Sequence, residues 1–383
     1  MDGERSSYFG VDRLHDPGIE MIQRIEYPAE SHYVTTPDGY ILVMHRIPHG
    51  KVNNHITNRP VVFFMHGLVC NSAVWVNMGP EKSLAYLLVD VGFDVWFGNA
   101  RGNTWSRNHT VLSPKDPRFW KFSWHEIGTI DLPTMIDYIL QNTGQKQLFY
   151  VGHSQGTTTF FVMASELPEY NDKIKLMIAL APTAYMSNMK HPFIPMLSRF
   201  RWILESVVRA NSLFEFLPEP NILSQIGKTM CLAGTFFEEL CASGLFLIGG
   251  WNSRELNATM VPVIVANTPA SSSTRQILHY AQEIRSGKFR QYDFGRDNEE
   301  MYGTPEPPDY NTRAITAPVA LTYSLNDWLV GVEDVKRLES ELPNVVLSYE
   351  VPDPQFTHLD FVFANDVKKL LYNRLLILLQ NYV

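Results

Sequence analysis

Only three cysteines occur in 383 residues, too few for a disulfide scaffold. Cys231 and Cys241 stand close enough in the chain to close a short disulfide loop, which on the chain-entropy account stabilises by roughly 2–3 kcal/mol. Cys70 would then stand alone. Neither a CxxC nor an HExxH pattern occurs, so neither a metal nor a cofactor is expected. No apolar run approaches the roughly 20 residues that cross a bilayer; the longest stretches, near residues 245–248 and 370–379, are too short or interrupted. Charged residues make up only 19% of the chain, the net charge is -8, and no Lys/Arg tract is present. Nucleic acid is therefore not an expected partner. The opening Met1-Asp-Gly-Glu-Arg-Ser-Ser lacks an apolar core, so no signal peptide is expected within it. Repeats and low-complexity tracts are also lacking.

What is present is apolar residues, at 45%, and aromatics, at 12%. A chain this long with that composition buries a large core, roughly three quarters of its unfolded surface. Residues 1–30 read as an irregular lead-in. His32–Thr36 and Tyr40–Ile47 flank the turn signal Pro37-Asp-Gly39 and predict an antiparallel hairpin. Beyond the polar loop 51–58, apolar strand-like runs (61–65, 93–97, 147–151, 175–180) alternate with helical stretches (83–90, 127–143, 157–164). That alternation predicts an α/β fold with a mostly parallel central sheet and helices on both faces. From 183 to 310 the rhythm is lost and prolines punctuate short helical pieces, as in an inserted helical cap. Strand signals return at 318–323 and 345–351, ahead of a helical C-terminus at 367–382. The expected core is thus 31–182 with 311–383.

Gly152-His-Ser-Gln-Gly156 lies where a strand-like run meets a helical one. G-x-S-x-G at such a junction is a nucleophile elbow, a sharp turn that leaves the serine hydroxyl clear of the sheet. A serine is a poor nucleophile unless a base takes its proton, so Ser154 requires a histidine, an acid to orient it, and oxyanion donors. In α/β-hydrolases the acid and then the histidine follow the serine, each at a strand end. Asp327 lies in the loop leaving 318–323, and His358 in the loop leaving 345–351. Asp334 is a rival acid, but it falls in a helical stretch, where it reads as an N-terminal helix charge. Asp353 and Asp360, beside His358 in sequence, read as loop-forming or capping residues. The oxyanion donors are expected to be the backbone N–H groups of Gln155 and of Leu68, in the His66-Gly-Leu68 loop after strand 61–65. His66 and His153 read as residues that shape their turns. The glycines of Gly98-Asn-Ala-Arg-Gly-Asn103 lack dinucleotide-binding spacing.

Six segments together resemble the acid lipases, the family of the gastric and lysosomal enzymes: His32–Tyr40, His66–Leu68, Asn99–Trp105, Gly152–Gly156, Asn326–Leu329 and His358–Phe361. The resemblance runs from about Ile19 to Tyr382. It implies an α/β-hydrolase with a helical cap that hydrolyses triacylglycerols or sterol esters, with the roles falling on Ser154, Asp327, His358, Leu68 and Gln155. The chain departs from the pattern at Ala100, where the family has serine, and near Gly249, where a further cap cysteine is usual. Sequons at Asn108 and Asn257, with the resemblance, imply glycosylation and a secreted or lysosomal location. The expected function is a serine lipase acting on long-chain esters, touching a lipid–water interface through the cap. A short-chain esterase or an acyltransferase would use the same triad, and an idle lipid carrier would keep the fold without the chemistry. Trp202, Phe214, Phe216, Phe236, Phe237, Phe246 and Trp251 either pack the cap or wall an acyl site.

Overall fold

A computed structural model describes residues 17–210, 212–217, 249–250, 252 and 260–383. The expectations for Cys231, Cys241, Asn257, Phe236, Phe237, Phe246 and Trp251 lie outside those residues.

The described strands are β1 (Glu30–Thr35), β2 (Tyr40–Ile47), β3 (Val61–Met65), β4 (Asp94–Phe97), β5 (Asn108–His109), β6 (Leu148–His153), β7 (Ile174–Leu180), β8 (Glu215–Phe216), β9 (Ser272–Ser273), β10 (Val319–Tyr323) and β11 (Val345–Glu350). Nine of them form one sheet, ordered β1-β2-β4-β3-β6-β7-β10-β11, with β5 added to β2. The β1–β2 hairpin is antiparallel, and β2 pairs antiparallel with β4. From β4 to β11 every pairing is parallel. Registers run Phe63↔Tyr150↔Met177↔Val319 across the centre. The central strands β3, β6 and β10 are buried along their whole length. That is why they read as unbroken apolar runs rather than as alternation.

Two stretches differ from their sequence reading. The lead-in contains a helix, Pro17–Gln23, whose Ile19 and Ile22 are buried. The helix expected over 127–143 begins earlier, at Trp124, where Ser123 and Glu126 form a reciprocal capping box. It then passes through a π-helical stretch, Ile127–Asp131, before the regular helix Leu132–Thr143. The π turn carries the buried carboxylate of Asp131 to Arg101, whose backbone N–H it accepts at 3.1 Å.

The described part of the segment between β7 and β10 holds the helices Ile194–Ser198, Arg201–Ala210, Val261–Asn267, Thr274–Ser286 and Asn298–Tyr302, with β8 and β9 paired antiparallel among them. Its later half joins the main core. His279 stacks on Trp124 with ring centroids 3.6 Å apart, and Phe289 and Tyr310 are buried in the same cluster as the sheet. No helix among the described residues is long and apolar enough to cross a membrane.

Candidate active site

Ser154 comes directly after β6 and caps the helix Gln155–Glu166. Its backbone sits at φ 53°, ψ -122°, a conformation that side-chain-bearing residues adopt only when their surroundings hold them there. The hold is visible: Ser154 N–H donates to Leu180 O at 3.0 Å, and Thr157 Oγ1 donates to Ser154 O at 2.7 Å. The glycines at 152 and 156 answer to close approach. A Cβ on Gly156 would collide with the Met65 carbonyl, and one on Gly152 would lie 2.7 Å from the Gly156 carbonyl carbon. The elbow therefore folds back against its own helix and the end of β3.

β3 runs into the His66-Gly67-Leu68 loop. A Cβ on Gly67 would stand 3.1 Å from Ser154 Cβ, so this loop passes beside the serine. Val69, at φ 52°, turns it away, and its carbonyl accepts from Ala270 N–H at 2.6 Å. His66 Nδ1 donates to Gly67 O at 2.8 Å, while Nε2 accepts from Ala100 N–H at 3.2 Å and Asn103 Nδ2 at 3.1 Å. Burial lowers the His66 pKa to about 4, so the ring stays neutral and shapes the loop.

Asp327 lies past the end of β10 and His358 past the end of β11, and both side chains are buried. His358 Nδ1 is 2.8 Å from Asp327 Oδ2. The other carboxylate oxygen, Oδ1, accepts from Leu329 N–H at 2.8 Å and Val330 N–H at 2.9 Å. A carboxylate so tethered has one oxygen left for the imidazole. Asp334 sits in the first turn of Val332–Glu341 and accepts from Asn188 N–H at 2.7 Å and Asn188 Nδ2 at 2.8 Å. Its carboxylate is thus spent on holding the start of the insertion. Asp353 accepts from Gln355 N–H, and Asp360 from Thr357 N–H, so both brace the loop that carries His358.

Ser154, His358 and Leu68 open onto one cavity of about 490 Å³, walled mostly by apolar side chains such as Met186, Met189, Leu197 and Ile277. Cys70 also lines it, but burial pushes its thiol up to about 12, so it is not a competing nucleophile.

Family models match along nearly all of the described fold: "Partial alpha/beta-hydrolase lipase region" over residues 19–79 and "alpha/beta hydrolase fold" over 60–364. The chain belongs to the α/β-hydrolase lipase family. It is a carboxylic-ester hydrolase. It is 46% identical to Lipase 3 of Drosophila melanogaster over 368 residues, covering 95% of this chain and 92% of that one. It is 41% identical to the gastric triacylglycerol lipase of Bos taurus (94% and 90% covered) and 38% identical to the human lysosomal acid lipase/cholesteryl ester hydrolase (95% and 90%).

Several contacts of this lipase-family site escape a linear reading. His153 Nε2 donates to His358 O at 2.9 Å, joining the elbow to the loop of the imidazole. Gln155 Nε2 donates to Gln276 Oε1 at 2.7 Å, joining the elbow to the insertion. The turn at 98–103, unreadable as a nucleotide motif, holds buried Arg101 between Asp131 and Asp38, with 2.6 Å contacts to each, above the Tyr40 ring. Of the aromatics singled out, Phe216 lines the cavity, Phe214 packs against the core and Trp202 is exposed.

Proposed function

We propose that the enzyme is a lipase that cleaves long-chain fatty-acid esters through an acyl-enzyme on Ser154. The observation that carries this reading is the buried 2.8 Å Asp327–His358 contact opening onto the same apolar cavity as a serine held at φ 53°. In the proposed cycle His358 takes the proton as Ser154 Oγ attacks the ester carbonyl. The N–H groups of Leu68 and Gln155 receive the oxyanion; in such sites each donor contributes about 10²–10³ in rate. Asp327 fixes the imidazole tautomer and stabilises its positive charge. The protonated imidazole releases the alcohol, and water then cleaves the acyl-enzyme by the same steps.

The substrates proposed are triacylglycerols, sterol esters or both, in keeping with the activities for which the bovine and human relatives are named. A cavity with almost no polar wall favours an acyl chain over a polar leaving group. Residues 183–310 would act as a cap. Phe193, Met196, Leu197, Phe200 and Trp202 are each more than half exposed there, and Leu197 also lines the cavity. So much exposed apolar surface at the mouth fits contact with a lipid–water interface. A secreted or lysosomal location accords with that role and with the exposed sequon at Asn108.

The test is fatty-acid release from emulsified trioleoylglycerol and cholesteryl oleate at pH 5 and pH 7.5, with Ser154→Ala alongside. The proposal expects release on at least one substrate and its loss by several orders of magnitude in the variant. Cleavage of short soluble esters alone would leave an esterase. Silence on every ester would leave a lipid carrier.

A further inference from the structure

Where the cap returns towards β10, three described residues touch the loops that carry Asp327 and His358. Gly249 O accepts from His358 N–H at 3.2 Å. A Cβ on Gly249 would lie 2.8 Å from Leu359 Cγ, 3.3 Å from Leu359 N and 3.4 Å from His358 Cβ. Gly250, at φ 117°, faces both loops: a Cβ there would meet Asn326 O at 2.8 Å, Thr357 Cγ2 at 3.2 Å and Trp328 Cδ1 at 3.3 Å. Asn252 Nδ2 donates to Asp360 Oδ2 at 2.9 Å, the same oxygen that accepts from Thr357 N–H. Asn326 and Trp328 flank Asp327 in the chain, and Thr357 and Leu359 flank His358. The backbone at 249–250 therefore lies between the two loops, with little room for a side chain at Gly249 and none at Gly250, where a backbone oxygen stands 2.8 Å from the would-be Cβ.

We infer that Gly249 and Gly250 are positioning residues, a backbone wedge from the cap that sets the separation of the Asp327 and His358 loops. The inference rests on the triad reading above. His358 is held at both main-chain groups, its N–H by Gly249 of the cap and its carbonyl by His153 of the elbow. The imidazole is thus located from two sides by parts of the chain far apart in sequence. Leu359 Cγ, the nearest neighbour of Gly249, is a side-chain atom and yields to a methyl group. Leu359 N and His358 Cβ are fixed to the loop, so a larger substituent moves the base itself. A displacement of about 1 Å in a reacting group costs on the order of 10²-fold in rate.

The test compares Gly249→Ala, Gly249→Val and Gly250→Ala with wild type on p-nitrophenyl butyrate, a soluble ester that bypasses the interface. Gly303→Ala serves as control, since Gly303 also has positive φ yet no atom lies within 4 Å of its would-be Cβ. The readouts are kcat, KM, melting temperature and the rate at which a small fluorophosphonate labels Ser154. The expected result is a kcat loss of about tenfold for Gly249→Ala and about 10²-fold or more for Gly249→Val and Gly250→Ala, with KM within about twofold. Labelling should slow in parallel, and Gly303→Ala should label as wild type. If a glycine variant does not fold, Asn252→Ala carries the test: labelling slowed several-fold with the native fold kept is expected. Folded Gly249→Val that labels at the wild-type rate, or that changes only KM for long-chain esters, would overturn the inference. So would wild-type labelling of folded Asn252→Ala when it carries the test. Wild-type protein that is not labelled at Ser154 would instead overturn the triad reading on which it stands.

Discussion

His153, the residue before the elbow serine, donates its Nε2 hydrogen to the carbonyl oxygen of His358 across 2.9 Å. Burial, helped by the nearby His358 ring, lowers the His153 pKa to about 3, so it remains a neutral donor. Replacing it by leucine strands a buried carbonyl, which costs about 1–3 kcal/mol, and frees the loop that carries His358. His153→Leu should melt earlier and lose roughly tenfold or more in kcat with KM little changed. Steady-state kinetics on a soluble ester check this. A wild-type kcat would mean the contact braces the fold without serving the reaction.

Two buried aspartates compete as the acid, and their partners separate them. Asp327 faces the imidazole, whereas Asp334 holds Asn188. Asp327→Asn should lower kcat by on the order of 10⁴, the scale for a triad acid that can no longer fix the tautomer. Asp334→Asn should keep kcat within a few-fold and lower the melting temperature. Equal losses in the two variants would refute the assignment.

Stability should depend on pH through groups outside the reaction. Burial lowers the pKa of His66 to about 4 and of His153 and His279 to about 3. Unfolded histidine titrates near 6.5, so the unfolded chain takes up protons first as pH falls. Stability from these groups is present above about 6.5 and lost on acidification, by about 2 kcal/mol per histidine at pH 5. Glu283 works in the opposite direction. Burial, then the charge of Asp334, raises its pKa well above normal. Its contribution is present at low pH and lost as pH rises. Glu283→Gln should therefore be more stable than wild type at pH 7.5, with the gain shrinking towards pH 5. Urea unfolding at pH 5, 6 and 7.5 reads both trends, and a pH-independent difference would contradict the assignment.

Arg101 is almost fully buried, with Asp131 fully buried on one side and Asp38 half-exposed on the other. Removing one partner of such a pair leaves an uncompensated buried charge, at a cost of about 3–5 kcal/mol. Arg101→Met should fall in that range by urea unfolding. A loss below about 1 kcal/mol would show that water reaches Asp131.

Much of this site is legible along the chain because its rules are local. A strand buried on both faces reads as a continuous apolar run, and the polar stretch after it is its exit loop; Ser154 and Asp327 sit at such exits. His358 follows β11, a half-buried edge strand that its β-branched and aromatic residues still mark. Asp334 is separable from Asp327 on the same ground, since its helical stretch leaves it no loop. The wedge at Gly249 and Gly250 is not legible. A glycine there has no local signature, and its neighbours come from loops far along the chain. Trp202, Phe214 and Phe216 look alike in sequence, yet one is exposed, one packs and one lines the cavity.

The sequence by itself determined the strand–elbow–helix unit, the mostly parallel character of the sheet and the residues available for an acid, a base and a nucleophile. Apolar periodicity and turn chemistry act over a few residues and need no partner to be read. Only the tertiary structure decided how the Asp327 carboxylate is tethered, how the His358 main chain is gripped between His153 and Gly249, and which aromatic side chains wall the cavity. Those outcomes depend on close packing between segments distant in the chain, where a single Cβ or one hydrogen-bond donor changes the fit.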